Sequence, residues 1–244
     1  MVICFNGIDG SGKTSQAVRL VEYLRAQGHP TTYVWAGGRT GLTLPFIRLS
    51  KYLLKAPKTI PTTAAASSKV TKQYKKYLSS TRRVLGRELI WKLWLRLSLL
   101  EHANKIQKMF RPHLDANHII VCDRYVYDSV INTAFLVGLD PAELSPLFEL
   151  ESISRVPQPA KCFFLDVPAE VAYQRKDDIV TIQEIAPRVP LYQATAEALG
   201  MQVIDGTASP DEIAKIIQRS VEPLLAKKMA AAQSGHDARL RPFF

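Results

Sequence analysis

An eight-residue run, Gly7-Ile8-Asp9-Gly10-Ser11-Gly12-Lys13-Thr14, restricts this chain more than any other feature. It fits G-x-x-x-x-G-K-[ST] in the setting that pattern requires, after an apolar strand and at the opening of a helix. Gly7, Gly10 and Gly12 let the backbone curl so that successive N–H groups, through Asp9 and Ser11, point inward at phosphate oxygens. The helix dipole adds positive charge at the same place. Lys13 is expected to reach the outer phosphates of a nucleotide and the Thr14 hydroxyl to ligate Mg²⁺.

The rest of the chain alternates strand and helix. Val2–Asn6, Thr31–Trp35, 119–122, 162–167 and 202–204 are short, continuously apolar runs, as expected of strands covered on both faces. Helical spacing is read between them at 13–27, where Gly28 ends the first helix, and at 141–153, 168–174, 187–199 and 210–225. A proline near the start of each of the last four suits a first helical turn. This order predicts an α/β fold with a parallel sheet of five strands flanked by helices. With 244 residues the chain has ample length for one core, and 47% hydrophobic against 22% charged residues excludes a disordered or fibrous protein.

Composition also bounds location and partners. The most apolar stretch, 89–100, is interrupted by Lys92 and Arg96, so no membrane span is expected. The opening residues do not read as a secretory leader. Cys4, Cys122 and Cys162 fall on expected strands without metal-ligand spacing, which points to buried, reduced thiols and a cytoplasmic location. The net charge of +10 favours anionic partners without choosing between nucleotides, nucleic acid and a membrane surface. Residues 56–68 (APKTIPTTAAASS) read as a mobile insertion loop inside a single domain spanning 1–228, and 229–244 as a frayed tail docked at most by Phe243 and Phe244.

A second charged position follows the third strand. Asp123 and Arg124 stand at the carboxyl end of a parallel strand, where ligands bind in open α/β sheets. Asp123 is a candidate Mg²⁺ ligand with Thr14, and Arg124 a candidate for a second phosphate.

Taken together, FNGIDGSGKT, the Asp123-Arg124-Tyr125 triplet, LDVPAEVAYQRK (165–176) and PRVPLYQATAEALGMQVIDG (187–206) resemble the thymidylate kinase family over most of residues 2–225. The resemblance implies a P-loop kinase fold with a helical insertion and a lid. It implies transfer of the γ-phosphoryl group of ATP, with Mg²⁺, onto a nucleoside monophosphate, dTMP first. It makes Gly7, Asp9, Gly10, Ser11, Gly12, Lys13 and Thr14 the ATP-binding residues, and places Asp9 at the acceptor sugar and Arg124 at the acceptor phosphate. Tyr125 and the lid-helix residue Tyr192 join them on the acceptor side. It also implies a homodimer, with the apolar helix around 93–100 as the interface.

Three stretches depart from the family's pattern, all on the acceptor side. Trp35-Ala36-Gly37-Gly38-Arg39 stands where R-E-P-G-G is usual, with Arg39 as a shifted source of charge. Glu101-His102 replaces Asp-Arg on the long helix, and Tyr127-Asp128-Ser129 carries its serine one residue out of step. The alternative acceptors are therefore another nucleotide, a nucleoside or a small phosphorylated metabolite.

Phosphoryl transfer needs cations around the moving group. Lys13, Arg124, Arg175 and Arg188 are the catalytic candidates, with 176–187 as a closing lid. The basic stretch 69–111, interleaved with Tyr74, Tyr77, Trp91 and Trp94, reads as an amphipathic helical pair. Its other readings are an acceptor pocket using Arg96 or Trp94, or docking of nucleic acid or a membrane surface.

Overall fold

The short strands pair as the alternation predicts. The protein is described by a computed structural model over residues 1–37, 64–85, 88–176 and 181–239. Strands β1 (Val2–Asn6), β2 (Thr31–Trp35), β3 (Ile119–Asp123), β4 (Lys161–Asp166) and β5 (Gln202–Asp205) form one parallel sheet in the order β2-β3-β1-β4-β5. β1 is central, with Phe5 in register with Asp123 on one side and Phe163 on the other. β1 and β3 are buried on both faces, whereas the edge strands β2 and β5 leave Trp35 and Val203 exposed.

Side chains alternate between two cores, the period-two consequence of the pleat. Ile3, Phe5, Val121, Phe163 and Leu165 meet α1 (Lys13–Ala26) and α8 (Pro210–Arg239), where Ala17, Leu20, Val21 and Leu24 of α1 are buried. Cys4, Ile120, Cys122 and Phe164 face the opposite layer of α2 (Ala64–Leu85), α3 (Glu88–Asp115), α4 (Tyr127–Val137) and α7 (Val189–Ala198). Cys4 sits in register with both Cys122 and Cys162, three thiols in a row across the sheet. No described helix is long and apolar enough to cross a membrane.

Several boundaries differ from the sequence reading. The helix expected at 141–153 is broken into 3₁₀ turns at Pro141–Glu143 and Ser145–Glu149 and a single turn, α5 (Glu151–Ser154), because Pro146 has no N–H to continue a helix. Helix α4 lies outside the helices read from the sequence. Its buried residues wrap most of its surface and include polar Asp128 and Thr133 beside Val130, Ile131 and Ala134, so apolar and polar positions do not separate into two faces. A short helix, α6 (Ala169–Gln174), follows β4, and α7 is preceded by a 3₁₀ turn at Ala186–Arg188. Residues 64–68 of the expected loop open α2, and α8 continues past 225 to Arg239. Residues 56–63, the lid segment 177–180, and Phe243 and Phe244 lie outside the described residues.

Candidate active site

Strand order places the carboxyl ends of β1 and β3 side by side, and the chain leaving each supplies half of one crevice. It measures about 410 Å³ and is lined by Asp9, Gly10, Gly12, Lys13, Thr14, Ser15, Trp35, Asp123, Arg124, Arg175 and Lys176.

The β1 half is the glycine-rich loop. Gly10 has φ +86°, and a Cβ there would lie 2.2 Å from the Ala172 carbonyl oxygen, so the loop and α6 can approach only through glycine. The N-terminus of α1 has no side-chain cap and no acidic residue in its first turn. Its first-turn N–H groups therefore face the crevice as an anion site. Lys13 is buried, its ammonium donating to the Ile8 carbonyl at 2.6 Å and reaching the buried Ser11 hydroxyl at 3.5 Å. Burial, then the nearby Arg124 charge, lowers its pKa from 10.5 to about 8. Gly7 carries φ +144° and Gly12 φ +91°, so all three glycines take up backbone conformations that side chains resist.

The β3 half begins with Asp123. Its Oδ2 accepts from the Thr14 hydroxyl at 2.5 Å and the Tyr33 hydroxyl at 3.1 Å, while Oδ1 is buried without a hydrogen-bond partner among the described residues. Burial first, then Asp123, pushes the Tyr33 phenol up to about 12, so it stays a donor. Arg124 follows in the left-handed region at φ +68°, its N–H donating to the Phe5 carbonyl at 2.9 Å. That turn sends the Arg124 side chain into the crevice. Its Nη2 donates to Asp9, and its Nη1 to Asp128 at 2.8 Å and to the Tyr192 hydroxyl at 3.2 Å. Tyr192 in turn donates to Asp128 and stacks on Phe164 at 6.3 Å between ring centroids. Burial would raise the Asp9 pKa, but Arg124 foremost, then Lys13 and Lys176, hold its carboxyl below the usual value.

The third wall comes from β2. Trp35 is half exposed at the crevice, with the Lys105 ammonium 5.7 Å from its ring centre. A Cβ on Gly37 would stand 2.5 Å from Arg124 Cδ and 2.9 Å from the Trp35 ring, so glycine makes room for both. His102 ties this wall to α3 and α4. One ring nitrogen is 2.6 Å from the Ala36 carbonyl oxygen and the other 2.6 Å from the Ser129 hydroxyl.

Two expected site residues lie elsewhere. Tyr125 is fully buried, beside Phe110 and Tyr127, and its hydroxyl donates to the Pro157 carbonyl, because the left-handed Arg124 turns the chain into the core. Arg96 is exposed on α3 and is not part of the crevice wall, since the helical period points Leu95 and Leu99 inward instead. Arg39 lies outside the described residues. Arg175 lines the crevice with its guanidinium on the Gly206 carbonyl at 2.8 Å. Arg188 donates to the Glu184 carbonyl and lies 4.1 Å from the centre of the Phe135 ring, close enough for its charge to act on Asp9. Asp128, Tyr33 and Trp35 were not singled out from the sequence as ligand-facing groups. Their positions follow from strand register and helix packing, which leave no local motif.

No protein-family model matches the chain. A thymidylate kinase from Symbiobacterium thermophilum is 25% identical over 239 residues, covering 94% of this chain and 96% of its own. One from Solidesulfovibrio magneticus is 27% identical over 242 residues, covering 92% and 100%. A probable thymidylate kinase from the archaeal species Pyrococcus horikoshii is 25% identical over 173 residues, covering 71% and 68%.

Proposed function

We propose that this chain, similar to thymidylate kinases over more than nine tenths of its length, transfers the γ-phosphoryl group of ATP to dTMP, giving ADP and dTDP. The observation that carries this reading is the meeting of two cationic pockets in one crevice, Lys13 on the glycine-rich loop and Arg124 at the end of β3. One suits the tail of the donor and the other a phosphate already on the acceptor.

The acceptor phosphate is largely ionised near neutral pH, its second pKa being about 6. No general base is needed. An acceptor oxygen attacks the γ-phosphorus in line, the bond to the β–γ bridging oxygen breaks, and its electron pair leaves with ADP. The loop N–H groups and Lys13 hold the donor phosphates, and Arg124 aligns the attacking oxygen. Arg175 and Arg188 serve as lid cations, and Asp9 accepts from the acceptor sugar. Mg²⁺ fits the residues present, because Thr14 offers a hydroxyl and Asp123 a buried carboxylate oxygen with no other partner among the described residues. Thr14 and Asp123 would hold the ion, which when bound neutralises charge on the donor phosphates.

The reading extends to a homodimer. Leu89, Leu93 and Leu97 recur every four residues along α3 and are exposed, whereas Leu95 and Leu99 are spent on the chain's own core.

The test is ATP with a panel of acceptors, following ADP release. The expected result is turnover with dTMP at least about tenfold above other monophosphates and nucleosides in kcat/KM, and its loss in Lys13→Ala. ADP release that responds to polynucleotide and to no monophosphate would overturn it.

A further inference from the structure

Arg124 sits between two carboxylates that are held very differently. Asp128 is buried in the first turn of α4, fixed there by the helix and stabilised by its N-terminal dipole. Its Oδ1 accepts from both Arg124 Nη1 and the Tyr192 hydroxyl, and Arg124 Nη1 also touches that hydroxyl, so the three groups close a ring. Asp9 stands on the glycine-rich loop with its side chain 46% exposed and meets only the Nη2 edge of the same guanidinium. A buried carboxylate cannot leave its cation without stranding a charge, whereas an exposed one can exchange its partner for water or a ligand at little cost.

The geometry points to Asp128 as a positioning residue for the acceptor phosphate, clamping Arg124 by its Nη1 edge so that the Nη2 edge, held by the exchangeable Asp9, is the face offered to the incoming phosphate. The inference rests on the acceptor-phosphate role given to Arg124 above. Acceptor binding then trades one ion pair for another. The phosphate takes Asp9's place on Nη2, and Asp9 is freed to accept a hydrogen bond from the acceptor's sugar hydroxyl. The clamp also explains how a non-glycine residue at φ +68° is kept in place, since such a conformation persists only where its surroundings fix it. Tyr192 links the clamp to α7. That helix and the Arg188 turn before it pack on the α4 face that bears Asp128 and, two turns on, Phe135. The position of Arg124 is thereby tied to the seating of the segment that follows residues 177–180.

The measurement compares the parent chain with Asp128→Ala, Asp128→Asn and Tyr192→Phe, reading dTMP binding by calorimetry without ATP and the KM values for dTMP and ATP separately. Asp128→Ala is expected to weaken dTMP binding and raise its KM at least about tenfold, with the KM for ATP within about twofold of the parent. Asp128→Asn keeps an oxygen acceptor for Nη1 and should recover most of that loss, with Tyr192→Phe in between. Thermal unfolding of each variant is read alongside. A parallel rise in both KM values, or dTMP binding in Asp128→Ala equal to or tighter than the parent's, overturns the clamp. Binding of dTMP by the parent without ADP release would overturn the proposed activity, while the binding comparison still decides the clamp. Absence of dTMP binding by the parent would overturn both.

Discussion

The Thr14 hydroxyl donates to Oδ2 of Asp123 at 2.5 Å, joining the start of α1 to the end of β3, and the other oxygen of the same carboxylate is buried with no hydrogen-bond partner among the described residues. A buried carboxylate oxygen left unpaired is costly unless a ligand completes it. Chelation of divalent cations is therefore expected to stop ADP release, and added Mg²⁺ to restore it. Asp123→Asn should raise the Mg²⁺ concentration for half-maximal rate by about tenfold or more, because the amide removes the charge that balances the ion. Initial rates across a Mg²⁺ titration check this, and an unchanged midpoint would remove Asp123 from the metal site.

Lys13 carries a stability cost in the ligand-free protein. Burial lowers its pKa from 10.5 to about 8, so the folded state resists the charged form that the unfolded chain keeps. Below about pH 8 the cost is fully present; it fades as the pH rises toward 10.5, where both states are neutral, and the whole difference is worth about 3 kcal/mol. Lys13→Met is expected to melt at a higher temperature than the parent at pH 7, to lose that advantage above about pH 10, and to lose about 10²–10³-fold in kcat. Thermal unfolding from pH 7 to 10 together with steady-state rates decides it. Phosphate oxygens beside Lys13 reverse the balance, so kcat/KM for ATP should fall as the pH rises through about 8, while kcat holds to higher pH.

The stripe of Leu89, Leu93 and Leu97 gives a prediction of assembly. A twofold interface uses each residue twice, so one substitution places two charges in contact. Light scattering after size-exclusion chromatography should find a dimer for the parent and a monomer for Leu93→Glu, with far-ultraviolet circular dichroism unchanged because Leu93 is outside the chain's own core. A monomeric parent at micromolar concentration would remove the interface.

How much of this was legible in the sequence depended on how local the cause was. Gly7 to Thr14 announces itself because loop, lysine and helix start are consecutive, and the Asp123-Arg124 pair because it ends an apolar strand. Tyr125 was misplaced because nothing in the sequence signals that Arg124 takes a left-handed conformation and turns the next side chain into the core. Arg96 is exposed and does not line the described crevice for a simpler reason, that its neighbours Leu95 and Leu99 take the inward face of α3. Asp128 was legible only as a departure from the family's pattern. Its meeting with Arg124 and Tyr192 depends on α4, a helix buried on most sides with polar Asp128 and Thr133 among its buried residues, and on a contact across 64 residues.

His102 makes the last prediction. A carbonyl oxygen can only accept, so the ring nitrogen beside the Ala36 carbonyl carries the hydrogen, and in the neutral ring the other accepts from the Ser129 hydroxyl. The ring staples the end of β2 to α3 and α4, and its burial favours the neutral form. Burial is the main influence and lowers its pKa from 6.5, against a smaller opposing effect of the Ala36 hydrogen bond. The unfolded chain binds a proton near pH 6.5 that the folded chain refuses, so stability is complete above that pH and is lost as the pH falls toward the lowered folded value. His102→Gln, which retains one donor and one acceptor but does not titrate, should cost about 1–2 kcal/mol at pH 7.5. Its melting temperature should then fall less steeply than the parent's between pH 6.5 and 5, bringing the two curves together in acid. Because the staple holds the Ala36–Gly37 backbone beside Trp35 and Arg124, the same variant should raise the KM for dTMP more than that for ATP. Melting curves that stay parallel across that range would mean the His102 ring is not held neutral in the fold.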